Sequence, residues 1–83
     1  MTRQHLHFRK PVIGDLVHPI EHRGAGYMRG PYADTERVGL VVDKQGLEVL
    51  VQFAGEKDST GQPYRLWYRR TNVITLDGVK EIP

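Results

Sequence analysis

Apolar and polar residues alternate with a period of two along much of this chain, the spacing of half-buried strands and not of helices. Val38, Leu40 and Val42 alternate with Gly39, Val41 and Asp43, which predicts one apolar face. Lys44-Gln45-Gly46 follows as a tight connection, with Gly46 supplying the positive φ of a hairpin turn. Leu47, Val49, Val51 and Phe53 then share one face and Glu48, Leu50 and Gln52 the other, and the β-branched and aromatic content agrees with a strand over 47–53. Over 64–69, Tyr64, Leu66 and Tyr68 alternate with Arg65, Trp67 and Arg69, so one face is apolar and the other joins an indole to two guanidinium groups. Either face of that strand can meet the core of a curved sheet.

Breakers set the remaining boundaries. Gly14 to His18 reads as a short first strand closed by Pro19, which lacks the N–H of a central ladder. The stretch from Pro19 to Glu36 holds Gly24, Gly26, Gly30 and Pro31 and reads as a long connection. Residues 54–63 form a polar loop, Arg70-Thr71-Asn72 a short turn, and Val73–Leu76 a fifth strand ended by Asp77-Gly78, after which 79–83 adds a little edge pairing. Residues 1–11 have no periodicity and are expected to be an N-terminal arm or short edge segment, with the domain proper over 12–83. The predicted core is Leu16, Val38, Leu40, Val42, Val49, Val51, Phe53, Leu66, Val73 and Leu76.

This order of elements, five short strands with a long first loop, a tight second connection and a turn-like bridge into the last strand, resembles the SH3-like barrel group. The resemblance covers roughly residues 12–77 and implies an all-β, five-stranded barrel with a long, RT-like first loop. The Gly14-Asp15-Leu16-Val17 opening and the Gly39-Leu40-Val41-Val42 strand are similar to elements of KOW-type and tudor-like barrels, with a longer spacing here. The same opening together with 39–43, 49–53, Trp67-Tyr68 and Leu76 looks like small uncharacterised SH3-like proteins of tailed bacteriophages, notably those infecting cyanobacteria. That likeness implies a stand-alone viral or prokaryotic accessory domain, in the cytoplasm of a bacterial host if phage-encoded. Signalling SH3 domains match less well, because their acidic tyrosine-containing motif in the first loop is missing and Asn72 is not followed by Tyr.

Composition narrows the chemistry. At 83 residues the chain is one domain's worth, with 39% hydrophobic and 27% charged residues. No apolar run approaches the ~18 residues of a membrane-spanning helix, and no signal peptide is expected from the polar first ten residues. The absence of cysteine removes thiol nucleophiles, disulfides and thiolate metal centres. The net charge of +2 is uneven, for residues 1–31 carry five basic side chains against Asp15 and Glu21 and also hold all four histidines. Eight of the twelve basic residues are arginine, the side chain suited to bidentate and stacking contacts, so an anionic partner is compatible with the chain but not demanded by it.

Tyr27, Tyr32, Tyr64, Trp67 and Tyr68 are expected to approach one another in such a barrel, rimmed by arginines that include Arg23, Arg29, Arg65, Arg69 and Arg70. The binding residues expected are Tyr27, Arg29, Tyr32, Arg65, Trp67 and Arg69, with burial in a small core as the competing role for Trp67. His5-x-His7, His18 and His22 lack a supporting carboxylate pattern, so no metal site is expected. The glycines of 24–30 precede no Gly-Lys-Ser/Thr, which excludes a P-loop, and Ser59 lies in a polar loop without a supported base. No catalytic residue and no cofactor are expected. The expected function is a non-enzymatic module binding a protein or itself; the alternative is a nucleic-acid-binding barrel of the KOW or tudor-like kind.

Overall fold

The computed structural model describes residues 3–23 and 30–82. Among the described residues it is all-β, with eight strands and no α-helix: β1 (Arg3–Leu6), β2 (Leu16–Arg23), β3 (Gly30–Ala33), β4 (Gly39–Gln45), β5 (Glu48–Lys57), β6 (Pro63–Arg69), β7 (Val73–Thr75) and β8 (Val79–Ile82). Two 3-10 turns, Arg70–Asn72 and Leu76–Gly78, lead into and out of β7. The strands form a two-stranded ribbon, β1 with β8, and a six-stranded sheet in the order β3-β2-β4-β5-β6, with β7 also on β2.

β2 is the hub because it has three partners. Val17 faces Gly39 of β4 on one side and Thr75 of β7 on the other, while Ile20 to Arg23 pair with β3. Pro19 was expected to end this strand, yet the strand runs through it. Pro19 stands where pairing passes from β7 to β3, opposite Val73, and its carbonyl accepts from the Asp34 amide at 2.9 Å. A missing N–H is tolerated at such a hand-over. The long connection expected over 19–36 is therefore a hairpin, since Gly30–Ala33 folds back as β3; its tip, 24–29, lies outside the described residues.

The polar loop expected over 54–63 is shorter as well. β5 continues to Lys57, the ladder to β6 slips between Gln52 and Lys57, and Gly55 takes φ 75° there. Asp58 then closes the hairpin, its Oδ1 accepting from the Thr60 amide (2.9 Å), the Thr60 hydroxyl (2.6 Å) and the Gln62 amide (3.1 Å). A composition typical of loops concealed a bulged strand, because the slip breaks the period of two.

The core joins Val17, Val41, Val49, Val51, Phe53 and Val73, with Tyr64 and Tyr68 packed against it. Ala33 and Ile74 are also buried. Of the predicted core, Val49, Val51, Phe53 and Val73 are buried, whereas Leu16, Leu40, Leu66 and Leu76 are exposed and Val38 and Val42 half-buried. The first strands were assigned the opposite face. Val38 to Val42 is apolar on both faces of the strand, and Gly39 decides between them: it lies over Val51 and the Phe53 ring, where a side chain would collide. A slip of register between Val41 and Asp43 completes the change of phase.

Gln4 fastens the ribbon to the sheet. The Gln4 carboxamide accepts from the Ala33 amide at 2.8 Å and donates to the Ala33 carbonyl at 2.9 Å, and the His7 amide donates to Gly78 at 2.7 Å.

Candidate interaction surface

β6 has two unlike faces. Opposite it on β5, Val49 and Val51 are buried, and they pair with Tyr68 and Leu66, so Tyr64, Leu66 and Tyr68 share the core side. Phe53 is the anchor there: its ring centroid lies 6.0 Å from that of Tyr64, stacked, and 6.0 Å from that of Tyr68, edge-on. The Arg37 guanidinium covers the third side of Phe53 at 4.0 Å and is held by both oxygens of Glu56 at 3.2 Å. Burial pushes the Tyr68 phenol above its ordinary value, with Arg37 acting in the opposite sense.

Arg65, Trp67 and Arg69 therefore point to the outside of the sheet, opposite Gln52, Leu50 and Glu48 of β5. The Arg65 Nε donates to Gln52 Oε1 at 2.9 Å, which fixes one guanidinium beside the indole. Trp67 remains 39% exposed. On the same outer face Leu50 is half-buried, and Leu40 and Leu16, paired with each other, are exposed. The outer face thus carries two apolar pairs on successive outward rungs: Leu16–Leu40, whose rung continues through Gln52 to Arg65, and Leu50–Trp67, whose rung begins at Asp43; Glu48 and Arg69 form the next. Leu16, Leu40, Leu50 and Gln52 were not among the expected site residues; the first two read as core because their neighbours Val17 and Val41 are equally apolar.

The expected aromatic grouping is divided by this geometry. Tyr64 and Tyr68 lie on the core side of β6 and Trp67 on the other, while Tyr32 stands half-buried on β3, at the far end of the strand order. Tyr27 and Arg29 lie outside the described residues, as does the Arg23 side chain.

A groove of about 340 Å³ is lined by Phe8, Arg9, Lys10, Pro11, Arg70 and Thr71. Arg9 in that groove is tied to Asp15 at 3.0 Å and 3.2 Å and to Asp77 at 3.6 Å. The Arg9 hydrogen bonds, with one from the Val12 amide, hold the Asp15 carboxyl below the usual carboxylate range. Of the histidines, buried His18 donates from Nδ1 to the Arg37 carbonyl at 2.7 Å. Among the described residues no three His, Asp or Glu side chains gather as metal ligands, and no helix is long and apolar enough to cross a membrane.

Compared with known proteins, the chain matches no family model, no curated protein and no solved structure.

Proposed function

We propose that this protein is a non-enzymatic interaction module that binds a protein partner or a second copy of itself through the outer face of β2, β4, β5 and β6, centred on Trp67. The observation that carries this reading is the two apolar pairs, Leu16–Leu40 and Leu50–Trp67, on successive outward rungs of the face away from the core, with Leu16, Leu40 and Trp67 exposed. A core this small leaves much surface uncovered, and exposed apolar side chains set close together among polar residues are typical of an interface. Trp and Arg are the side chains that most often dominate such contacts.

An SH3-like barrel is the architecture proposed. Its support is that β2 bridges β4 and β7, β4-β5-β6 follow as a meander, and a 3-10 turn joins β6 to β7. The proposal extends to a viral or prokaryotic accessory role, in the cytoplasm of a bacterial host if phage-encoded, on the sequence resemblance to tailed-phage proteins alone.

A second reading is nucleic-acid binding of the KOW or tudor-like kind. It is favoured by Arg65 and Arg69 flanking an exposed indole, an arrangement on which bases stack. Light scattering at ~50 mM and ~500 mM salt, with and without a single-stranded oligonucleotide, separates the two, since phosphate contacts weaken steeply with salt. Association that persists at high salt, ignores the oligonucleotide and is lost in Trp67→Ala with an unchanged melting curve is expected. An oligonucleotide complex that dissolves at high salt would transfer the assignment to the second reading.

A further inference from the structure

We infer that the open edge of β6 pairs with β6 of a second copy, antiparallel about a two-fold axis through Leu66. The inference rests on the interaction-module reading above and names the partner as this chain itself.

Three observations lead to it. First, among the described residues β6 pairs with β5 alone, so its other edge presents unpaired backbone groups, a template for a further strand. Second, Leu66 points to the core side of the sheet opposite buried Val51, yet is 40% exposed. Among the described residues the apolar core face continues to this edge and ends there at Leu66. Third, Pro63–Arg69 is complementary to itself in one full-length register.

With the axis at Leu66, the middle residue of β6, all seven strand residues overlap. On the outer face, Arg65 lies directly opposite the second copy's Trp67, and symmetry repeats the pair. Each guanidinium, on giving up its hydrogen bond to Gln52, can then turn across the edge onto an indole, a favourable contact that salt screens weakly once desolvated. On the core side, Tyr64 faces the second copy's Tyr68, also twice, and Leu66 faces its own copy. No like charges are opposed. Moving the axis to Trp67 sets Arg65 against Arg69, and moving it to Arg65 sets that arginine against itself, so both registers are penalised. Because the two-fold axis is perpendicular to the sheet, the two outer faces join into one surface, and the two meanders become one continuous sheet.

The chain contains no cysteine, which allows a direct test. A residue on the axis meets its own copy at a Cα separation of about 4.5 or 5.5 Å, whichever type of antiparallel pair it forms, and both fit a disulfide. Leu66→Cys is expected to cross-link to a covalent dimer under mild oxidation. Ile13→Cys, at a position 60% exposed but away from β6, is expected to remain monomeric at the same concentration. Light scattering is expected to show a concentration-dependent dimer at both salt levels. Trp67→Arg, which opposes two arginine pairs, raises its dissociation constant at least about tenfold. The double variant Arg65→Glu/Trp67→Arg restores it, a rescue that loss of folding would not permit.

Equal cross-linking of Leu66→Cys and Ile13→Cys overturns the pairing. Association that survives Leu66→Lys but not Leu40→Lys also overturns it and leaves the outer face as the binding surface. A monomer under every condition overturns both this inference and the self-binding arm of the broader reading, leaving that reading with a foreign protein as its partner.

Discussion

Gly39 shows how a residue without a side chain can set the phase of a strand. It occupies the place where a Cβ would overlap Val51 and press on the Phe53 ring. Gly39→Ala is expected to lower unfolding stability by about 1–3 kcal/mol, read as a lower urea midpoint at constant slope, because the core must shift to admit a methyl group. Asp15 provides a second measurement. Arg9 and the Val12 amide favour its charged form in the folded state, so the folded chain binds fewer protons here than the unfolded one. That stabilisation is complete at neutral pH and is lost as pH falls below about 4, the ordinary carboxylate range. Asp15→Asn is expected to flatten the acid limb of a stability-versus-pH curve while lowering its plateau. At this scale Val49, Val51, Phe53 and Val73 were legible as core, since their strands are apolar on one face or strongly β-branched. Leu16 and Leu40 were not, because each adjoins an equally apolar valine, and what separates the two faces is a contact with Phe53 far away in the chain.

Strand positions were more legible than strand ends. β4, β5, β6 and β7 each overlap a predicted strand, and the Gly46 turn lies at φ 56° next to its predicted place. β3 was hidden by Gly30 and Pro31, since its pairing comes from β2 and not from its own preference. The Arg65, Trp67 and Arg69 half of the candidate site could be read from simple alternation in β6. Its leucine half could not, as it depends on how β2 and β4 are turned. The β1–β8 ribbon depends on Gln4, whose carboxamide serves both backbone groups of buried Ala33. Gln4→Ala is expected to destabilise the protein by about 1–3 kcal/mol, the cost of leaving buried backbone groups unpaired. Hydrogen exchange should report this locally: the Ala33 amide loses protection, while amides of the β4–β5 ladder keep theirs.

The whole molecule has a narrow margin, roughly 4–12 kcal/mol for a chain of this size, and much of its core converges on one ring. Phe53 touches Tyr64, Tyr68 and the Arg37 lid and lies under Gly39. Phe53→Ala removes about 3–5 kcal/mol and is expected to leave a largely unfolded chain at 37 °C by circular dichroism. Conservative Phe53→Leu should fold with a lowered melting temperature.

The antiparallel ribbon sets Arg3 opposite Ile82 and Leu6 opposite Val79, so both ends of the described chain leave from the same end of the ribbon. Tension applied across those two points meets the rungs one at a time, as in a zipper, and never loads them together in shear. The Gln4 clasp on Ala33 is loaded as soon as the first rung opens, and the His7–Gly78 hydrogen bond is reached last, after Leu6 and Val79 part. The six-stranded sheet would stay intact behind them, making the ribbon a mechanical fuse for the domain.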